Sequence, residues 1–174
     1  MDKAQQEAYF KALDLAEYIN HKHREKYDGR DISNIKLQKS LYFLFAYWGG
    51  FARKSQLGKS EITIDKELLF DDEIQAWVYG PVLPNVYNHY KSNNFKSGIE
   101  LQKIISEVES SGIVAEFIND LLSELFDISD FKLVDLAHAD NAWKKHFKSN
   151  ANYHNDEIPK EEIISEYATR EINY

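Results

Sequence analysis

His138 and His146 bracket the segment ADNAWKKH, and with Asp140 they are the residues whose types could form a small metal or acid–base cluster. A structural metal site needs several ligands brought to one point by fixed spacings. The chain has no HExxH, no cysteine and no closely spaced set of three ligands. His138 is therefore expected to be a buried, hydrogen-bonded histidine. His21 and His23 stand two apart, which turns them about 200° from each other on a helix and away from a shared ion. Gly58, Lys59 and Ser60 match the tail of a phosphate-binding loop, but its first glycine would fall on Arg53. The segment also follows a helix where that motif requires a strand. No serine sits in a GxSxG turn, and Asp71, Asp72 and Glu73 read as a charge cluster at a helix start. The sequence thus offers no catalytic residue, no metal ligand set and no cofactor site; the expectation is a protein that is not an enzyme and takes no cofactor.

Binding is the remaining class, and charge bears on its partner. The 174 residues carry a net charge of −8, unevenly placed. Residues 1–60 hold 11 Lys and Arg against 7 Asp and Glu, whereas residues 101–140 hold 2 against 9. The acidic stretch, with Glu107, Glu109, Glu116, Asp120 and Glu124, would repel phosphate and attract a basic protein. The basic amino-terminal region raises a rival reading, a DNA-binding regulator using Lys36 and Lys39 with Tyr42 and Tyr47 nearby. Those lysines fall on a helix given mostly to the core and form no dense basic stripe, so nucleic acid is a disfavoured partner. An enzyme of unrecognised type is the second rival.

The elements that must position these residues are read from hydrophobic spacing. A first helix is expected over residues 3 to about 26, with Ala8, Ala12, Leu15, Ala16 and Ile19 on one stripe. Ser33 is expected to cap a second helix whose ridge is Leu37, Leu41, Leu44, Phe45 and Trp48, ended by the pair Gly49–Gly50. EITID, residues 61–65, alternates like a short strand. Gly112 should break the helical run from residue 99 to 129, Ser129 should cap the next helix, and Pro159 should sit in the first turn of the last. The fold class is therefore mainly α: a compact single-domain helical protein, residues 1–174, with at most a token pair of short β-strands. The amino terminus is polar from its start, and no segment approaches the roughly 18 apolar residues of a membrane span. The expected location is the cytoplasm, with no membrane partner.

One stretch departs from helix: AWVYGPVLPNVYNHY, residues 76–90, with two of the three prolines. Pro81 fixes its own φ and restricts Gly80, so the chain should turn between Tyr79 and Val82; Pro84 can then open a short helix. Trp77 is expected in the core with its indole N–H on an acceptor. The stretch reads as a rigid elbow rather than a contact site.

Three segments together resemble the Panacea domain family, which includes phage-associated GepA-like proteins and SocA-like antitoxins. The first is ISNIKLQKSLYF, with Gln38, Lys39 and Tyr42. The second is IQAWVYGPVLPNVYNHYK, with Trp77, Tyr79, Gly80, Pro81, Pro84 and Tyr87. The third is LVDLAHADNAW, with His138 and Trp143, and it departs from the family pattern at Ala137, where Thr or Ser is commoner. The resemblance spans residues 32–143. It implies a small, mainly helical, non-enzymatic antitoxin of a toxin–antitoxin system, binding a cognate toxin directly, and in one branch presenting the toxin to a cellular protease. The motif residues would be structural or partner-contacting, and the five carboxylates a surface complementary to a basic toxin.

Overall fold

The computed structural model describes residues 7–58, 62, 64–92, 94–149 and 156–170. Among these the chain forms eight α-helices and one two-stranded antiparallel sheet, a mainly α architecture. The helices are α1 Ala12–Lys26, α2 Asn34–Gln56, α3 Pro84–Tyr90, α4 Gly98–Glu109, α5 Ile113–Phe126, α6 Asp130–His138, α7 Asn141–His146 and α8 Lys160–Thr169. The strands are β1 Gln75–Trp77 and β2 Gly80–Val82. No helix among the described residues is long and apolar enough to cross a membrane.

Helix α2 is the axis of the molecule, in contact with α1, α3, α5, α6, α8 and β2. Its start follows from Ser33, whose Oγ accepts from Lys36 N at 3.1 Å and satisfies one orphan donor of the first turn. The ridge Leu37, Leu41, Leu44, Phe45 and Trp48 is buried, and so are Tyr42, Phe43 and Ala46 on other faces. A helix surrounded by neighbours buries more than one stripe.

Gly49 and Gly50 do not end α2; the helix runs on to Gln56. Their role is close approach. A Cβ on Gly49 would lie 2.6 Å from Ile164 Cγ1, and one on Gly50 would lie 2.8 Å from the carbonyl carbon of Tyr167. Helix α8 sits on α2 at a separation that only a bare backbone permits.

The first helix begins later than its periodicity suggests, because the backbone before it is engaged elsewhere. Tyr9 N and Phe10 N donate to Leu68 O and Leu69 O at 3.1 and 2.9 Å. The stripe from Ala12 to Ile19 is buried as expected. The helix expected from residue 3 falls partly outside the described residues, as does EITID, of which Ile62, Ile64 and Asp65 are described and none is in a strand. The sheet lies instead in the proline-rich stretch. Further on, Gly112 separates α4 from α5 with φ +64°, and Ser129 Oγ accepts from Lys132 N at 3.3 Å to cap α6. Pro84 opens α3, and Pro159 sits at the N-cap of α8.

One buried carboxylate pins α1 to the region after α3. Glu17 is 2% exposed and accepts from Tyr90 Oη at 2.7 Å and from Lys96 N at 3.0 Å. Arg53 on α2 likewise holds Glu67 and Glu161, tying the loop before β1 and the start of α8 to the same helix.

Candidate functional site

The hairpin β1–β2 turns at Val78–Tyr79, two residues earlier than proline sterics alone suggest, with Trp77 paired to Gly80 and Ala76 to Pro81. Gly80 carries the tight geometry at φ +105°. A two-stranded ribbon is marginal by itself, so something must hold both edges.

The outer edge of β1 is closed by backbone. Ala76 N donates to Asp156 O at 2.9 Å, and Ile158 N donates to Ile74 O at 2.7 Å. The outer edge of β2 is closed by side chains of α2. Gln38 acts as a substitute strand, its Oε1 accepting from Leu83 N at 2.8 Å while its Nε2 donates to Leu83 O at 3.4 Å. Lys39 Nζ donates to Pro81 O at 2.7 Å. Lys39 is 1% exposed, and burial pushes its amine down to about 7, because a charged ammonium loses its hydration there.

The turn is gripped from the other side. His138 Nε2 donates to Val78 O at 2.9 Å, which fixes its proton on Nε2, and Trp143 Nε1 donates to Trp77 O at 2.9 Å. The two rings stack with centroids 4.2 Å apart. His138 is thus hydrogen-bonded as its sequence setting suggests, but only partly buried.

Residues of all three motifs therefore meet at one hairpin, and Gln38, Lys39, His138 and Trp143 hold its backbone. Trp77 differs from expectation: it is half-buried, its indole N–H donating to Gln75 Oε1 at 3.0 Å and its ring edge-on to Tyr87 at 5.0 Å. It lies on an edge of the hairpin, where alternation turns it away from the buried Ala76. Tyr87 is half-buried, and Pro84 is partly covered at the start of α3. Tyr79 is 54% exposed at the turn, with Phe131 of α6, 64% exposed, at 6.4 Å between ring centroids.

The supposed cluster of His138, Asp140 and His146 does not form. His146 Nε2 pairs with Glu162 Oε2 at 2.6 Å, while Asp140 faces the core. Asp140, 1% exposed, accepts from the hydroxyls of Tyr42 and Tyr167 and from Arg170 Nη2, the last at 2.7 Å. Burial first, and then the neighbouring negative charge, raises both tyrosine hydroxyls well above their ordinary range, so they remain donors. Glu166 completes the knot, accepting from Asn141 N and Ala142 N at the first turn of α7 and from Arg170. Tyr167, Arg170 and Glu166 carried no signal in the sequence beyond an amphipathic last helix. Among the described residues no group of three or more His, Asp or Glu side chains is placed to hold a metal ion.

The lysines of the nucleic-acid reading are turned inward. Lys36 Nζ donates to Phe126 O at 2.9 Å and lies 3.8 Å from Asp130, and Lys39 is buried. Neither is presented to a phosphate. Of the acidic stretch, Asp140 is buried, and Asp127 pairs with Lys26. Glu107 and Glu109 on α4, and Glu116, Asp120 and Glu124 on α5, are exposed and make no ion pair among the described residues.

The protein is mainly helical, with residues of all three motifs gathered around one hairpin and carboxylates exposed on α4 and α5. Residues 62–144 match the family model described as antitoxin SocA-like, Panacea domain. The match takes in the second and third motifs and the acidic helices, while α2 and α8 lie outside it. Neither the curated proteins nor the solved structures give a significant match.

Proposed function

We propose that the protein is an antitoxin-like binding module that neutralises a genomically adjacent toxin by forming a complex with it, as a single domain of residues 1–174 and without catalysis. The observation that carries this reading is the antitoxin SocA-like, Panacea domain match over residues 62–144. Two features of the molecule support it. Gln38, Lys39, His138 and Trp143 spend their polar side-chain atoms on holding the hairpin, and the exposed carboxylates of α4 and α5 suit a basic toxin by charge. On this reading Tyr79 is the motif residue placed to touch a partner, and Gln38, Lys39, Tyr42, Gly80, Pro81, His138 and Trp143 are scaffold. The setting is a toxin–antitoxin system of the cytoplasm, of the kind carried by phage.

The test is co-expression. The chain should restore growth to cells producing the toxic product of the neighbouring gene and co-purify with it. Growth restored without a complex, or no rescue by the wild-type chain, contradicts the reading. Delivery to a protease, which the family resemblance implies for one branch, is distinguished by the toxin's lifetime: it shortens when the chain is present if the chain is an adapter, and lengthens or holds if the complex alone silences the toxin.

A further inference from the structure

Between α2 and α5 the surface opens into an apolar groove of about 570 Å³. Phe43 and Tyr47 of α2 line one side, Phe117, Leu121 and Leu125 of α5 the other, and Leu136 of α6, 40% exposed, stands at its lip. We propose that this groove docks an amphipathic helix of the partner, apolar toward the groove and rich in lysine or arginine along the edge beside α5. The proposal rests on the toxin-binding reading above and gives that partner a place and a chemistry.

Three observations fix the occupant. The first is shape. Phe43 and Tyr47 are one turn apart on α2, and Phe117, Leu121 and Leu125 are successive turns of α5. Two such ridges, each made by residues four apart, leave a furrow that takes the matching ridge of a third helix. The α5 side extends over about 12 Å, which two turns of a partner helix would cover. A strand has no comparable seat, since both edges of the hairpin are already closed.

The second is charge. Glu116, Asp120 and Glu124 recur at four-residue spacing on α5, about 6 Å apart along its axis, and the last two line the groove. The cation at the groove, Arg170, is already engaged by Asp140 and Glu166. Among the described residues the charge at the groove without an ion pair is therefore negative and regularly spaced, which suits lysines or arginines on successive turns of a helix and repels nucleic acid and anionic lipid.

The third is rigidity. The Phe117 ring is edge-on to Trp48 at 5.3 Å and parallel to Phe51 at 6.3 Å, so the floor is set by the core before any partner arrives. A groove that need not be reshaped loses less freedom on binding.

The test uses the full chain and a synthetic probe, an amphipathic peptide of about 15 residues built of leucine and lysine, with a twin carrying glutamate for lysine. Binding is read by fluorescence anisotropy at about 50 mM salt and located by amide hydrogen exchange. The lysine peptide should bind, the glutamate twin should not, and protection should rise in α5 and the facing part of α2. The triple variant Glu116→Lys/Asp120→Lys/Glu124→Lys, all at exposed positions, should weaken binding about tenfold or more, whereas Glu107→Lys/Glu109→Lys on α4 should change it by less than about threefold. Leu121→Glu should abolish it. No binding, protection elsewhere, or equal weakening by the α4 pair overturns the proposal. The toxin reading is judged separately: groove variants that rescue growth as well as wild type refute the groove and leave that reading standing, while a peptide seated in the groove with no rescue by wild type refutes that reading.

Discussion

Lys39 occupies the space in which a side chain at residue 80 would begin: a Cβ on Gly80 would stand 2.9 Å from Lys39 Cε and 3.4 Å from Ala137 Cβ. The first motif, the hairpin and α6 thus meet at an atom that is missing by design of the sequence. Gly80→Ala adds that atom at φ +105°, where L residues are rarely found. It is expected to lower stability by about 2 to 4 kcal/mol, seen as a fall in the urea midpoint. A change below about 0.5 kcal/mol would mean that the hairpin relaxes away from Lys39 at little expense.

Lys39 itself should make stability depend on pH. Its amine is held down to about 7 by burial, against about 10.4 for a lysine in an unfolded chain. Between these values the unfolded chain binds more protons than the folded one, so stability rises as pH rises through the window. Below it both states are charged and the full penalty of burying an ammonium applies. Lys39→Met should remove this slope and be more stable than wild type near pH 6, because a buried charge without a counter-ion is replaced by an apolar chain of similar length. Urea unfolding of both proteins from about pH 6 to about pH 10 checks it; parallel curves would show that Lys39 remains charged when folded.

Asp140 joins α2, through Tyr42, to α8, through Tyr167 and Arg170. Asp140→Asn keeps the shape and removes the charge, setting an amide N–H₂ group among three donors. The expected loss is about 2 to 4 kcal/mol. Tyr42→Phe leaves Asp140 its two other partners and should cost about 1 kcal/mol. Equal losses for the two variants would show that the hydroxyl, not the carboxylate, is the centre of the knot.

The glycine pair gives a prediction in which two effects oppose. In a free helix, glycine to alanine gains about 1 kcal/mol from propensity. At Gly50 the added methyl would meet the Tyr167 backbone at 2.8 Å, which cannot yield as a flexible side-chain end can. Gly50→Ala should therefore destabilise, by about 2 kcal/mol or more, and speed hydrogen exchange in α8. A stabilised variant would mean that α8 is free to step outward.

The helices were legible where one residue type decides them. Ser33 and Ser129 as caps, Gly112 as a break and Pro84 as an opening each act through local sterics or a hydrogen bond within four residues. What local rules misread was set by distant chain. Gly49–Gly50 looks like a helix end until α8, more than a hundred residues later, lies on it. Trp77 looks like core by size, yet the hairpin's register places it at an edge. The three motifs were visible as residue types, but not that Gln38, Lys39, His138 and Trp143 spend their polar atoms on one turn. The knot at Asp140 could not be read at all from Tyr167 and Arg170, since its partners are far apart in sequence. The acidic residues of α4 and α5 were expected at the surface and are there; the groove beside them depends on how α2 and α5 are set together, which no local pattern encodes.

The bare backbone of Gly49–Gly50 also has a consequence for how the chain is completed. During synthesis α2 is finished long before residues 160–169 leave the ribosome, so this strip of helix, and the Tyr42 hydroxyl near it, wait uncovered while the rest of the chain is made. Helix α8 is the latch that closes them. A fragment cut to residues 62–144 would lose both the latch and the post it fastens to, and a nascent chain stalled before α8 would display an apolar seam that the finished protein hides.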